Sequence, residues 1–285
     1  MNPQISLPRA HSNGHPLGGP SSLPSDPRAH STSSGPRLPR IIKRALKFPS
    51  MDFELAVWEM TSLLIRPKSV FRTIYYHKQT KNTWHRPDPS FTYLLSFFLV
   101  LTGVAWGLAY AQNVGGVIKV AFGFVLGHFL AGSLAVATIA YFLVGRLLGP
   151  GVPGLPGRRR GLFTSINGDG GEQLEFGYCF DVAIRAFLPV WVLLYVVQFF
   201  LMPIIAKEYW LGLFVGNSLY LVAGGYYAVI TFLGYNALPF LQHTELLLAP
   251  VPIMAILWFI SLFGFNMPRH LAPILWVGTI LRPGV

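Results

Sequence analysis

Five polar side chains stand in surroundings that are otherwise apolar. His128, Asp181, Arg185, Gln198 and Asn217 lie within or at the edge of long stretches rich in Leu, Val, Phe, Ile and Gly. Such groups are expensive in an apolar medium and are retained for a function or held by a partner. Asp181 and Arg185 are four residues apart with the acid first, so they can pair on one helix face. Asp181 also falls near the expected start of a helix, where negative charge is favoured. His128 and Asn217 fit either hydrogen-bonded contacts between helices or the lining of a substrate path. Patterns that carry catalysis are missing: there is no GxSxG, HExxH, Walker loop, CxxC or dinucleotide fingerprint. Cys179 is the sole cysteine, which rules out a disulfide scaffold. The expectation is therefore a protein that is not an enzyme, with no catalytic site, no metal site and no cofactor.

The elements that position these groups follow from the spacing of charge. The chain of 285 residues has uncharged windows at 89–118, 120–145, 186–206, 209–244 and 246–268. Each exceeds the roughly 20 apolar residues that a helix needs to cross a hydrocarbon core. They predict an all-α polytopic membrane protein with spans at 91–112, 120–145, 182–206, 209–234 and 246–265. A turn is expected at Asn113-Val114-Gly115-Gly116, a cytosolic loop at 146–178, and a tail at 266–285 whose LAPILWV run is too short to cross. Pro189 and Pro203 should bend the third span, and Asn236 and Pro239 should end the fourth. Helices in lipid associate through close packing and hydrogen bonds rather than apolar burial. Gly123 and Gly127 in the second span, and Gly212, Gly216, Gly224 and Gly225 beside Asn217 in the fourth, are accordingly expected at helix contacts.

The first 50 residues have a different composition, with nine prolines, nine serines, seven basic residues and one acid. Residues 1–39 read as a disordered basic tail. Arg40, Lys43, Arg44 and Lys47 share one helical face, suited to anionic lipid headgroups, to an acidic partner, or simply to water. The composition resembles a mitochondrial transit peptide, but its prolines oppose the required amphipathic helix. Residues 40–90 are expected to form cytosolic or interfacial amphipathic helices; residues 51–76 fit an interfacial helix with Trp58 at headgroup level or, compatibly, a cytosolic helical hairpin packed on the membrane domain. Seventeen Lys and Arg fall on the side shared by the N-terminus and the loop at 146–178, against four on the other. The positive-inside rule then predicts a cytosolic N-terminus and a lumenal C-terminus.

Several separate stretches carry a family resemblance: MDFELAVWEM, RTIYYHKQTKNTWHRPDPSF, EFGYCFDV and VGNSLYLVAGGYYAVITFLGYNALPFL. Together they resemble the Uncoordinated-fifty family of Golgi membrane proteins over roughly residues 51–265. The resemblance implies a five-span, Yip-like layout and a part in vesicle-mediated protein transport. It further implies a link to an Arf guanine-nucleotide exchange factor and to transport of receptors to the cell surface. The expanded loop at 146–172 and the long proline-rich tail depart from the family pattern.

Matching positions at the expected cytosolic side are Lys78, Gln79, Thr80, Lys81, Trp84, Arg86, Asp88, Gly177, Tyr178 and Asp181. These form the candidate partner-binding set, although the same residues would also serve as an anchoring collar, with Trp84 at the lipid interface and Asp88-Pro89 starting the first span. The segments around them, with LGYNALPFL, are expected to converge on one cytosolic surface. Two rival functions remain open. One is a lipid or small-solute transporter; the other is an RNA-associated protein of the inner nuclear membrane. Nucleic acid is an unfavoured partner, because the tail offers charge but only Phe48 for stacking.

Overall fold

The computed structural model describes residues 52–81, 84, 89–111, 113–148, 174–205 and 209–272. The expected disordered tail at 1–39, the basic helix at 40–47, Arg86, Asp88, most of the cytosolic loop and most of LAPILWV lie outside the described residues. Those described are helical with no strands, and five helices among them are long and apolar enough to span a membrane: Ser90–Tyr110, Val114–Gly145, Phe176–Ile205, Trp210–Asn236 and Thr244–Ser261. Their outer faces carry exposed Phe97, Leu101, Leu108, Phe122, Phe200, Ile256 and Phe263. An apolar belt of that extent is untenable in water and is the natural surface of a bundle in lipid.

Helix starts and irregularities follow local sequence. The second span begins at Val114 rather than 120, because the Asn113 side chain accepts a hydrogen bond from Gly116 N at 2.8 Å and caps the helix. The expected turn at Asn113 to Gly116 is thus a helix cap and first turn. The third span begins at Phe176, six residues before the expected start, so Tyr178 and Asp181 lie inside the helix. Pro189 removes a backbone donor, and the helix widens into π-helical turns over Trp191–Val197 immediately afterwards. A second π-helical stretch, Gly123–Ala131, lies in the middle of the second span. The fourth span ends at Asn236 as expected, and the fifth ends at Ser261 rather than 265.

The spans are held by close approach and by hydrogen bonds. The first and third run side by side in one direction. Phe98 stacks on Trp191, Trp191 Nε1 donates to Thr102 Oγ1 at 3.1 Å, and Trp106 Nε1 donates to the Tyr195 carbonyl at 2.8 Å. His128 Nδ1 and the Tyr195 hydroxyl are hydrogen-bonded at 2.8 Å, joining the two π-helical stretches. Asn217, fully buried, donates to Ser261 Oγ and to the Phe265 carbonyl and accepts from Met267 N, each at 2.8 Å. Gly264, at φ +138°, makes the turn that returns the chain to it. Met267–Ala272 is a short helix that packs back on the fourth span through Pro268, against Gly216.

The glycines divide in a way that the motif did not indicate. A Cβ at Gly216 would fall 2.7 Å from Pro268 Cγ and one at Gly224 would fall 2.6 Å from Met254 Sδ. Gly212 is buried. Gly123 and Gly127, expected at a contact, are exposed instead and have no atom within 4 Å of a Cβ; Gly225 is half-buried but likewise has open space around a Cβ. The tight contact of the first two spans uses Gly103 and Gly107, where a Cβ would meet Ala121 Cα at 2.6 Å and Val117 Cα at 2.7 Å. The short connection through Asn113 forces these two spans together, and two missing side chains on the first let the backbones close.

Before the first span, residues expected at the membrane surface form a helical hairpin: α1 (Phe53–Ile65) and α2 (Pro67–Lys81). Ala56, Glu59, Met60 and Leu63 form the buried stripe of α1. Glu59, 3% exposed, meets Arg185, 4% exposed, through an Oε2–Nη2 contact of 3.4 Å. The expected Asp181–Arg185 pair is present at 3.1 Å, and the guanidinium also lies 5.6 Å from the Phe91 ring centroid. The Tyr226 hydroxyl contacts the Leu63 and Leu64 carbonyls at 3.1 and 2.9 Å, which gives the C-terminal end of α1 a donor. Phe71 of α2 lies against Gly234. The hairpin is thus docked on the first, third and fourth spans, as the reading of a hairpin packed on the membrane domain expects.

Two outcomes are expected in detergent, with unfolding followed by dye labelling of the buried Cys179. Glu59→Ala should cost about 3 kcal/mol, because it strips a buried guanidinium of one partner. Glu59→Met with Arg185→Met should recover most of that loss. Gly103→Ile or Gly107→Ile should destabilise by about 1–3 kcal/mol, whereas Gly123→Ile and Gly127→Ile should change stability by less than about 0.5 kcal/mol.

Candidate functional site

The candidate site is the end of the bundle from which the first span starts. The third span extends farther there than the first. Arg185 is level with Phe91, and Phe176 lies nine residues before it, about 14 Å at the helical rise of 1.5 Å per residue. A helix of 30 residues is longer than the roughly 30 Å hydrocarbon core requires, so its first turns can project from the bilayer. Gly177, Tyr178 and Asp181 occupy these turns.

Three segments from different parts of the sequence meet at this end. Trp84 packs edge-on against Tyr178 (ring centroids 6.3 Å apart) and against Phe240 (6.2 Å). Tyr178 in turn packs edge-on against Tyr235 and donates its hydroxyl hydrogen to the Gly234 carbonyl. Trp84 N donates to Glu175 Oε1 at 3.4 Å, tying the approach to the first span to the start of the third. Gln242 N donates to the Leu148 carbonyl, joining the end of the second span to the segment after the fourth. Edge-to-face aromatic pairs contribute roughly 0.5–1.5 kcal/mol beyond their buried area.

Trp84, Tyr178, Tyr235 and Phe240 thus meet as an aromatic cluster in which Trp84, Tyr178 and Tyr235 are buried. Trp84 is 3% exposed and Tyr178 1% exposed. Trp84 lies inside the protein rather than at the lipid interface, and neither ring is open to a partner. Their effect is to position what surrounds them. Gly177 is exposed, and Asp181 remains partly exposed while paired with Arg185. Lys78, Gln79, Thr80 and Lys81 form the last turns of α2, which carry the chain to Trp84. Arg86 and Asp88 lie outside the described residues.

For several contributors the sequence left the individual role open. Glu59 is the acid within the 56/59/60/63 stripe, and an acid on an otherwise apolar stripe signals a buried cation opposite it. Phe240 and Tyr235 belong to LGYNALPFL, but nothing in their spacing shows which way they face. Tyr226 is one of several tyrosines in the fourth span and is distinguished only by the helix end that it reaches. No group of three or more His, Cys, Asp or Glu suited to a metal occurs among the described residues.

Comparison with known proteins places this architecture. A profile of the UNC-50 family matches residues 41–276. Protein GMH1 homolog of Schizosaccharomyces pombe is 39% identical over 231 residues, covering 81% of this chain and 94% of its own length. Protein GMH1 of Saccharomyces cerevisiae is 35% identical over 236 residues, covering 82% and 85%. Protein unc-50 homolog of Homo sapiens is 35% identical over 241 residues, covering 84% and 87%. No solved structure matches the chain. The profile covers the hairpin, all five spans and the returning helix, and the chain is a multi-pass membrane protein that belongs to the UNC-50 family.

Proposed function

We propose that this chain is a non-enzymatic platform of the Golgi membrane that acts in vesicle-mediated protein transport. Its N-terminus is cytosolic and its C-terminus lumenal, and its cytosolic end recruits a trafficking regulator such as an Arf guanine-nucleotide exchange factor in support of receptor transport to the cell surface. The observation that carries this reading is the junction of Trp84, Tyr178, Tyr235 and Phe240, which fixes three separate segments at one end of the bundle. A buried aromatic cluster at that place gives the surrounding polar residues a set position, as a docking surface requires. The bias of seventeen Lys and Arg against four supports that end as the cytosolic one. The basic segment before α1 adds attraction to anionic headgroups. Family membership supports the Golgi and Arf assignments by resemblance.

The polar groups within the bundle favour a scaffold over a transporter. His128 is bonded to Tyr195, and Asn217 holds the fifth span and the returning chain. These side chains join helices to each other, the ordinary role of polar residues in membrane packing.

Affinity capture from solubilised membranes tests the reading. The unaltered chain is expected to recover an Arf exchange factor, and Lys78→Glu with Lys81→Glu is expected to reduce recovery at least tenfold while the unfolding temperature stays unchanged. Equal recovery from both would remove the platform. In sealed microsomes, a tag at the N-terminus should be digested by added protease and a tag at the C-terminus should survive.

A further inference from the structure

The hairpin leaves a groove that the platform function does not use. Val57, Met60, Leu64 and Ile65 of α1 face Phe98 of the first span and Trp191 of the third across a cavity of about 320 Å³. That volume lies within the range of small-molecule sites. The one hydroxyl in the lining, that of Thr61, already donates to the Val57 carbonyl at 2.9 Å. The lining therefore offers an occupant apolar contact only. Val57, Leu64 and Ile65 are exposed, and so is the neighbouring Phe97 on the outer face of the bundle. The groove thus opens sideways, toward lipid.

Its depth follows from the helix contacts. Glu59 is level with Arg185, which is level with Phe91 near the start of the first span. Phe98 and Trp191, which stack on each other, lie seven and six residues farther along their helices, about 10 Å deeper. The groove therefore lies within the leaflet, open along its side to the acyl chains, and its upper end points toward the headgroups. The groove face of α1 continues one turn toward that upper end. Glu54, Val57, Thr61 and Leu64 fall at i, i+3, i+7 and i+10, and Glu54 is exposed with no ion pair among the described residues. Trp58, also exposed, is four residues from Glu54.

We propose that this groove binds a zwitterionic phospholipid of the surrounding leaflet. One acyl chain lies between α1 and the first and third spans. The choline or ethanolamine nitrogen sits at the Glu54 carboxylate, with the Trp58 ring available as an aromatic face for the cation. The arrangement matches the occupant end for end: an acid and an indole at headgroup level, and hydrocarbon walls below. At the end of the groove itself, an anionic headgroup would meet the carboxylates of Glu54 and Asp52, whereas the attraction of residues 40–47 for anionic headgroups acts before α1. The proposal rests on the bilayer placement alone and does not depend on the platform reading.

The test uses the full chain in phosphatidylcholine nanodiscs containing traces of a phospholipid with a diazirine on its acyl chain, with adducts mapped by mass spectrometry. A phosphatidylcholine probe is expected to label the peptides carrying Met60 and Trp191 at least fivefold more than those carrying Phe200 or Phe263, and a phosphatidylserine probe is not. Glu54→Lys should reverse that headgroup preference. Thr61→Trp should abolish labelling in the groove while leaving Phe200 and Phe263 labelled. Adducts spread evenly over the outer face, groove peptides labelled no more than those carrying Phe200 or Phe263, or a headgroup preference indifferent to Glu54→Lys would each overturn the proposal.

Discussion

Arg185 is the group on which the arrangement of the N-terminal half depends. A buried guanidinium is tolerable only where carboxylates and an aromatic face replace its water. Asp181 comes from its own helix, Glu59 from α1 and the Phe91 ring from the start of the first span. One cation therefore specifies the position of three elements. It also explains how a helix bearing Asp52, Glu54 and Glu59 packs against a membrane bundle. Glu59 turns inward to the cation, while Asp52 and Glu54 stay exposed at the end nearer water.

The rest of the bundle applies the same constraint by other means. Lipid supplies no hydrogen bonds, so each irregularity in the spans has to be answered within the protein. The π-helical stretches of the second and third spans meet through His128 and Tyr195. The carbonyls at the end of α1 receive the Tyr226 hydroxyl. Asn217 satisfies a turn that would otherwise be left open at the far end of the bundle. Where no polar group is available, close backbone approach takes over, as at Gly103 against Ala121.

What the sequence made legible was whatever the bilayer filters by length and charge. Five uncharged windows gave five spans, and the i, i+4 spacing of Asp181 and Arg185 gave their pairing. Facing could not be read in this way. The GxxxG pattern at Gly123 and Gly127 is open to the outside, whereas the same spacing at Gly103 and Gly107 forms the tight contact. Only the neighbour across the short Asn113 turn distinguishes the two. The hairpin at 51–76 was legible as one of two compatible readings, but its inward-facing stripe of Ala56, Glu59, Met60 and Leu63 and the spans it meets were not. Trp84 and Tyr178 suit an interface or a core equally well by composition, and their burial depends on Phe240 and Tyr235 arriving from another loop.

The hydrogen bonds of Asn217 carry a temporal consequence. Its partners Ser261, Phe265 and Met267 lie 44, 48 and 50 residues downstream. During synthesis the fourth span enters the membrane before any of these three partners has been made. Its final seating has to wait until the chain beyond the fifth span has left the ribosome and turned back. Assembly of this end of the bundle is thereby completed by the last helix described, so a nascent chain stalled before Met267 would present an unsettled fourth span to the quality-control machinery.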